Sequence, residues 1–151
     1  KVALSEHKML IYQVQKNEPS NQTIQELVFN HPVKFIASSN VSQTNNLVSR
    51  TNKIKMQING SDIDEYKVSV PYFTAIPSYY NTEYASGNAE NMFIYPFCLC
   101  TSKYQPTGTL NFSRIDSCTI HCTEVVDKKI YAMNYNILKI KDGMGVVLYA
   151  D

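Results

Sequence analysis

The sequence has no tryptophan, only three histidines and only five glycines among its 151 residues. It also lacks an excess of charge, because 14 Lys and Arg face 13 Asp and Glu and leave a net charge of +1. Nucleic-acid-binding domains usually carry a basic face or stripe. The nearest basic pair, Lys53 and Lys55, alternates with Ile54 and Met56, as the solvent face of a strand does. This balance argues against nucleic acid as a partner.

Long apolar runs are absent as well. No run approaches the roughly 20 residues that a membrane-spanning helix needs, and no signal peptide opens the chain. The first residue is not Met, so we expect a piece of a longer polypeptide or a processed chain. The length suits one domain, and a hydrophobic content of 44% is that of an ordinary globular domain.

The four cysteines are few and form two local pairs, Cys98 with Cys100 and Cys118 with Cys122. On strands, the members of each pair share a face, and a rise of about 3.3 Å per residue puts the first pair near the limit for a disulfide and the second beyond it. The sequence favours four small buried thiols in a reducing compartment. A bridge between the two pairs stays open as the alternative.

Side chains for metal binding or catalysis do not converge in the sequence. In Cys118-x-x-His121-Cys122, the histidine faces away from both thiols if the segment is a strand, so one tetrahedral zinc cannot reach all three. No histidine lies two residues from another, and no nucleophile elbow is present. We therefore expect no metal, no cofactor and no catalysis.

Period-2 alternation of apolar and polar residues is found along most of the chain and predicts β-strands. We expect strands over residues 10–15, 33–38, 53–58, 92–100, 109–113, 118–125, 130–141 and 144–148. Pro96 indicates an edge strand or a bulge. In the longest strand, Ile130–Lys141, the apolar face switches near Ile137. A β-bulge would explain this switch, as would a long strand that passes from one sheet environment to another. The last strand is apolar on both faces apart from Gly145, which predicts a central, covered position.

Turn residues separate these strands. Asn59-Gly60 and Asp142-Gly143 are typical of tight hairpin turns, and the segment Gln105–Gly108 has the pattern of a type I turn. Residues 61–90 form a long, irregular, tyrosine-rich stretch with some helix expected over 62–70. Many short strands and almost no helix predict an all-β antiparallel β-sandwich, and its long loops favour a jelly roll.

Several blocks of the sequence resemble a known family, in the same order along the chain. They are Phe29–Lys34, Gln105–Asp116, Tyr131–Leu138 and Gly143–Gly145. These blocks resemble the major capsid proteins of nucleocytoplasmic large DNA viruses, such as iridoviruses and phycodnaviruses. The expected structural motif residues are Pro106, Gly108, Asn111, Phe112, Ser113, Arg114, Asp116, Asn134, Asn136, Gly143 and Gly145.

The resemblance implies a structural protein of the virion, assembled in the host cytoplasm. Such proteins carry two jelly rolls and form homotrimers, the pseudo-hexagonal capsomers that tile an icosahedral shell over an inner membrane. Neighbouring capsomers and minor capsid proteins are the further partners it implies. Residues 1–151 are expected to be the C-terminal jelly roll, without its first strand and with a loop insertion at about 61–90.

Some features leave alternatives open. Arg114 and Asp116 are expected to pair with each other or to bind loop carbonyls, with a subunit contact as the alternative. The aromatic residues of the insertion could pack that loop on itself or contact a neighbouring subunit; they are Tyr72, Phe73, Tyr79, Tyr80 and Tyr84. They also suit the rival function, a carbohydrate-binding jelly-roll module. Of four glycosylation sequons, Asn40 is the most plausible acceptor, although a cytoplasmic assembly site predicts no modification.

Overall fold

The computed structural model describes residues 5–39, 44–82 and 92–149. Within these ranges the chain forms eleven strands, two short helices and one 3-10 turn. The strands are β1 (His7–Asn17), β2 (Gln22–Glu26), β3 (Pro32–Ser39), β4 (Lys53–Ile58), β5 (Ser61–Asp62), β6 (Lys67–Val68), β7 (Met92–Pro96), β8 (Leu110–Asn111), β9 (Cys118–Val126), β10 (Ile130–Lys141) and β11 (Met144–Val147). The helices are α1 (Ser69–Tyr72) and α2 (Ala75–Tyr80), and the 3-10 turn spans Phe112–Arg114.

The strands form two antiparallel sheets. The first sheet has the order β1-β10-β3-β7, with β11 paired to β10 and β8 paired to β3. The second sheet has the order β2-β9-β4-β5, with β6 paired to β4. Because β1 to β4 alternate between the sheets, as do β9 and β10, the chain repeatedly crosses from one layer to the other. The predicted all-β jelly-roll sandwich is confirmed.

The core lies between the sheets and follows from the alternation of the strands. Ile54 and Met56 of β4 are fully buried, while Lys53 is exposed, as the period-2 pattern predicts. Opposite them, Ile36 of β3 and Ala132 of β10 are also fully buried. Apolar burial of this kind is the dominant favourable contribution to folding.

A β-bulge interrupts the pairing of β10 with β3. Met133 pairs with Phe35, but the next residue, Asn134, pairs with Val33, so Lys34 is the extra residue of β3. The bulge turns Lys34 to the outer face of the first sheet, away from the core. It does not explain the switch of the apolar face near Ile137, because β10 pairs with β1 without a shift over Ile130–Ile140. Near Ile137 the neighbour of β10 changes from β3 to β11 instead.

Both predicted hairpin turns are present. Asn59 and Gly60, with φ of +51° and +80°, connect β4 to β5, and Asp142 and Gly143, with φ of +53° and +76°, connect β10 to β11. Pro96 ends the edge strand β7, which confirms the edge position that proline indicates.

Other local predictions were wrong. Helix was expected over 62–70, but α1 and α2 lie at Ser69–Tyr72 and Ala75–Tyr80, since residues 61–62 and 67–68 pair with β4 instead. The expected strand over 109–113 is only Leu110–Asn111, because a 3-10 turn begins at Phe112. The last strand is not central, because among the described residues β11 pairs only with β10, and Met144 and Val146 are 74% and 55% exposed.

No helix in the described ranges is long and apolar enough to cross a membrane. The expected insertion at 61–90 is described as far as residue 82, where it forms β5, β6, α1 and α2. Residues 83–90, including Tyr84, and the sequon residue Asn40 lie outside the described residues.

Candidate functional site

Two of the blocks that carry the resemblance meet at one end of the sandwich. His31 has a left-handed φ of +70° and is 7% exposed. Its backbone N–H donates to the hydroxyl of Ser113 at 2.8 Å, and its carbonyl accepts from the N–H of Phe112 at 3.0 Å. Pro32 pairs with Asn111 in the adjoining strands. The segments around residues 31 and 112 are therefore one structural unit.

Phe112 anchors this unit in the core. It is 5% exposed, and its ring lies 5.7 Å from that of Phe29 and 5.9 Å from that of Phe97, both in edge-to-face geometry. The side chain of Asn111 accepts from the N–H of Ser113 and so caps the 3-10 turn. In the motif Asn111-Phe112-Ser113, the first residue thus caps the 3-10 turn, the second packs in the core, and the third accepts a hydrogen bond from the backbone of His31.

A network of side-chain amides continues from the same end. On the inner side of β10, Asn134 and Asn136 are fully buried, and both donate to the side-chain oxygen of Gln13, at 3.2 and 3.0 Å. Gln15 donates to Asn134 and to the carbonyl of Asn30. Buried polar groups need such partners, so these glutamines explain why two asparagines are tolerated where an apolar strand face would continue.

The side chain of Asn136 also forms the pair of hydrogen bonds that a neighbouring strand would form with the backbone of Tyr149. It donates to the carbonyl of Tyr149 at 3.0 Å and accepts from the N–H of Tyr149 at 3.1 Å. The chain beyond β11 is thereby fixed against β10. An open cleft of about 390 Å³ lies beside the network, lined by Gln13, Val14, Gln15, Asn30, His31, Val147 and Tyr149.

Residues 105–108 form no hydrogen-bonded turn, contrary to the type I turn that the sequence predicts. Instead, Thr107 lies beside the bend that follows β7: its hydroxyl accepts from the N–H of Cys100 at 3.0 Å and donates to the carbonyl of Cys100 at 3.1 Å. Gly108 has φ of +134°, and a Cβ there would lie 2.9 Å from the carbonyl oxygen of Phe97. Close backbone contact, and not a turn, therefore requires glycine at this position.

Residues 101–105, which we call the strap, cross the outer face of the first sheet. The hydroxyl of Tyr12 donates to the carbonyl of Tyr104 at 2.8 Å, and the ammonium of Lys34 donates to the carbonyl of Lys103 at 3.4 Å. Lys34 is 2% exposed and lies over the rings of Tyr12 and Tyr135, 4.8 and 5.6 Å from their centres. Burial lowers the pKa of Lys34.

The expected pairing of Arg114 with Asp116 is wrong. Both side chains are exposed, and within the described residues Arg114 forms no ion pair. The loop is held by Asn59, whose side-chain oxygen accepts from the N–H groups of Asp116 and Ser117 at 2.9 and 3.1 Å. Sequence reasoning identified Asn59 only as a turn residue.

Asn52 is a second residue that sequence reasoning missed. It is fully buried, and its side-chain oxygen accepts from the N–H groups of Thr123 and Glu124, each at 3.1 Å. It lies at the border of a polar loop and an apolar strand, where a loop assignment was the natural one. A buried asparagine that binds a neighbouring strand gives no periodic signal.

The outer faces of the two sheets differ in chemistry. On the second sheet the outward residues include Lys53, Lys55, Thr119 and His121. On the first sheet the outward side chains are mostly apolar and aromatic, and many are exposed. Examples are Leu10 at 43%, Tyr12 at 38%, Val14 at 64% and Tyr131 at 39% exposure. We call this surface the apolar face.

Among the aromatic residues of the insertion that the structure describes, Phe73 packs the loop on the sandwich, while the tyrosines are exposed, and their contact with a neighbouring subunit remains a prediction. Phe73, their aromatic neighbour, is 7% exposed and packs against Phe93 and Tyr95, at 5.3 and 5.4 Å between ring centres. Tyr79 and Tyr80 are 75% and 74% exposed and contact each other. The loop packs on the sandwich through one side and presents aromatic rings to solvent on the other.

The side chains of Cys118, His121 and Cys122 face the directions that the sequence predicts for a strand. Cys118 and Cys122 point into the core from β9, while His121 is turned outward and its ring nitrogen lies 3.0 Å from the hydroxyl of Thr119. No cluster of three metal-binding side chains occurs in the part of the chain that the structure describes. The absence of a metal or cofactor remains a prediction.

Comparison with known proteins yields one family. A family model described as large eukaryotic DNA virus major capsid protein matches residues 1–146. The major capsid protein of Phaeocystis pouchetii virus is 33% identical over 106 residues, covering 64% of this chain and 20% of the relative. That of Pyramimonas orientalis virus is 27% identical over 174 residues, covering 96% of this chain and 43% of the relative.

Solved structures give the same result. The crystal structure of PBCV-1 VP54, fitted into a reconstruction of the virophage Sputnik, superposes with a TM-score of 0.75 at 25% identity. The match covers 97% of this chain and 52% of that one. This chain thus spans less than half of the curated relatives quoted above, and about half of the solved protein.

Proposed function

Because the chain belongs to the large eukaryotic DNA virus major capsid protein family, we propose that it is a building segment of a virion shell that acts by self-association. The family is one of structural capsid proteins. In this proposal the chain has no catalytic role of its own, and its motifs serve to hold loops in fixed positions. Its location is the virion, after assembly in the host cytoplasm.

The observation that carries the proposal is the apolar face. Isolated exposed apolar residues are ordinary, but contiguous apolar surface marks a site of contact. Leu10, Tyr12 and Val14 follow one another on one side of β1, beside the outward residues of β10. The second sheet exposes mainly polar and charged groups instead. This difference between the two sheets favours a molecule whose apolar face is covered by a protein partner, while the second sheet stays in contact with water.

We propose a homotrimer as the assembled unit, with neighbouring trimers and minor capsid proteins as further partners and the inner membrane of the virion nearby. We also propose that residues 1–151 are the second of two jelly rolls. A strand from upstream would add at the outer edge of β1, because β1 ends the order of the first sheet in the described residues.

Light scattering coupled to size-exclusion chromatography of the full-length polypeptide tests this proposal. A mass of three chains supports it, and a monomer that persists at assembly concentrations contradicts it. Binding to an array of glycans by such a monomer would support the rival function instead. The exposed rings of Tyr79 and Tyr80 would then be the first residues to substitute.

A further inference from the structure

A second chemical feature, independent of the proposed function, directly precedes the strap in the chain. Cys98 and Cys100 follow β7 in a bend over residues 97–99, not in the extended strand that the sequence predicts. Cys98 is 6% exposed and Cys100 is partly exposed. A bend shortens the distance between residues two apart, which on a strand is about 6.6 Å and near the upper limit for a disulfide.

Thr107 holds this bend in place. Its hydroxyl bonds to both backbone groups of Cys100, and its carbonyl accepts from the N–H of Leu99 at 3.3 Å. From the other side, the side chain of Asn81 donates to the carbonyls of Cys98 and Leu99 at 3.1 and 3.3 Å. The two thiols are therefore presented by a backbone that is fixed on both sides.

Lys34 is the positively charged group that interacts with both thiols. Its ammonium is buried without a carboxylate partner among the described residues, and its hydrogen bond to Lys103 is long, at 3.4 Å. The acidic groups that interact with it are the thiols of Cys98 and Cys100. Burial raises the pKa of Cys98, and Lys34 opposes that rise. A neighbouring ammonium favours the thiolate, which is the reactive form of cysteine.

We propose that Cys98 and Cys100 form a reactive dithiol beside Lys34, which a peroxide converts to an intramolecular disulfide. Cys100, the more exposed thiol, attacks one oxygen of hydrogen peroxide, giving a sulfenic acid and one water. The sulfur of Cys98 then attacks the sulfenic sulfur, the S–S bond forms, and the hydroxyl leaves as a second water. In sum, two thiols and one peroxide yield one disulfide and two waters.

The other two cysteines provide an internal reference. Cys118 and Cys122 are 2% and 5% exposed inside the sandwich, and burial raises the pKa of each to about 12. They lie four residues apart on β9, so about 13 Å separates their backbones. They are thiols as well, but their pair lacks the bend, the partly exposed member that Cys100 provides, and the lysine.

The test is peroxide oxidation of the purified, reduced protein, followed by intact mass and peptide mapping. We expect a loss of two hydrogens, located within the peptide that holds residues 98–100, and recovery of both thiols with a reducing agent. Cys98→Ser and Cys100→Ser should abolish the loss, while Cys118→Ser should leave it unchanged. Lys34→Gln should slow the reaction severalfold, because it removes the ammonium that favours the thiolate.

Two results would overturn the proposal. One is oxidation of Cys98 and Cys100 no faster than that of Cys118 and Cys122 in the native protein. The other is stepwise gain of oxygen at Cys100, to sulfinic or sulfonic acid, with no loss of hydrogen. Both are measured on the unsubstituted protein, so neither depends on whether Lys34→Gln folds.

Discussion

The ammonium of Lys34 lies 4.8 Å from the centre of the Tyr12 ring, and both side chains donate to the carbonyl of Lys103. The two residues come from β3 and β1, which are not neighbours, since β10 separates them in the sheet. Lys34 reaches this position because it is the extra residue of the bulge. The strap is therefore hydrogen-bonded to two strands, β1 and β3. The bulge in β3 and the register of β1 place Lys34 and Tyr12 next to each other beneath it.

Tyr12→Phe should loosen the strap without unfolding the sheet. The substitution removes the hydroxyl that donates to the carbonyls of Lys103 and Tyr104 and keeps the ring against Tyr135. One hydrogen bond contributes about 0.5–1.5 kcal/mol, so the free energy of unfolding should fall by about that amount. Amide exchange over residues 101–105 should rise. Tyr131→Phe, on the same face, is the control, and equal exchange in both variants would contradict the role of the hydroxyl.

Alkaline pH should destabilise the protein through its buried thiols. Burial raises the pKa of Cys118 and Cys122 from 9.0 to about 12, so above pH 9 the unfolded chain loses protons that the folded chain keeps. The folded state then binds more protons, and its stability falls as pH rises from about 9 towards 12, by at most about 1.4 kcal/mol per unit and thiol. Cys122→Ala should flatten this slope in denaturant titrations, and Val125→Ala on the same strand should not. An unchanged slope in Cys122→Ala would show that another group titrates.

Much of the fold could be predicted from the sequence, because local patterns determine it. The alternation around Ile54 and Met56 gave β4 with the correct inner face, and the pair Asp142-Gly143 gave the last hairpin. Both signals lie within a few residues. For the switch of the apolar face near Ile137, the sequence left open a bulge or a change of environment along the strand. The second is confirmed, since β10 pairs with β3 up to Asn134 and with β11 from Leu138.

The candidate site was less predictable, because its contacts join distant segments. Gly108 was assigned to a turn, but its requirement comes from the carbonyl of Phe97. Asn59 binds the backbone of Asp116, 57 residues away, and replaces the ion pair expected there. The position of the last strand was mispredicted for the same reason. Its apolar residues predict burial, but burial depends on its neighbours, and in the described residues β11 pairs only with β10.

Gly108→Ala should be among the more damaging substitutions of small residues. An added Cβ would lie 2.9 Å from the carbonyl oxygen of Phe97, at a φ of +134° that L residues rarely adopt. Backbone strain of this kind costs about 1–3 kcal/mol, and the clash adds to it. Gly145→Ala is the matched control, since its Cβ would meet only the side chain of Leu138 at 3.8 Å. Equal melting temperatures for the two variants would show that the segment near Phe97 adapts.

Asn136→Ala should lower the free energy of unfolding far more than Arg114→Ala. Removing the buried amide breaks its hydrogen bonds to the backbone of Tyr149 and leaves Gln13 with Asn134 as its remaining amide donor. Each lost hydrogen bond costs about 0.5–1.5 kcal/mol, and the cavity left in the strand face adds to this cost. Arg114 is exposed, and exposed substitutions usually change stability by less than about 0.5 kcal/mol. Urea denaturation of both variants measures the difference. A large decrease in the free energy of unfolding of Arg114→Ala, with an unchanged value for Asn136→Ala, would contradict the structural role given to Asn136.

Val14→Lys should impair self-association while leaving the fold intact. Val14 is 64% exposed on the outer side of β1, in the middle of the apolar face. A charge there costs little in the free chain, because the side chain already contacts water, but it must be desolvated when a partner covers the face. The control is Ile24→Lys, which places the same charge on the outer side of the second sheet, at a residue that is 48% exposed. In the full-length polypeptide, both variants should keep the circular dichroism spectrum of the parent. Only Val14→Lys should shift the mass in light scattering from the assembled form towards the single chain. If Ile24→Lys dissociates the assembly and Val14→Lys does not, the contact surface lies on the second sheet.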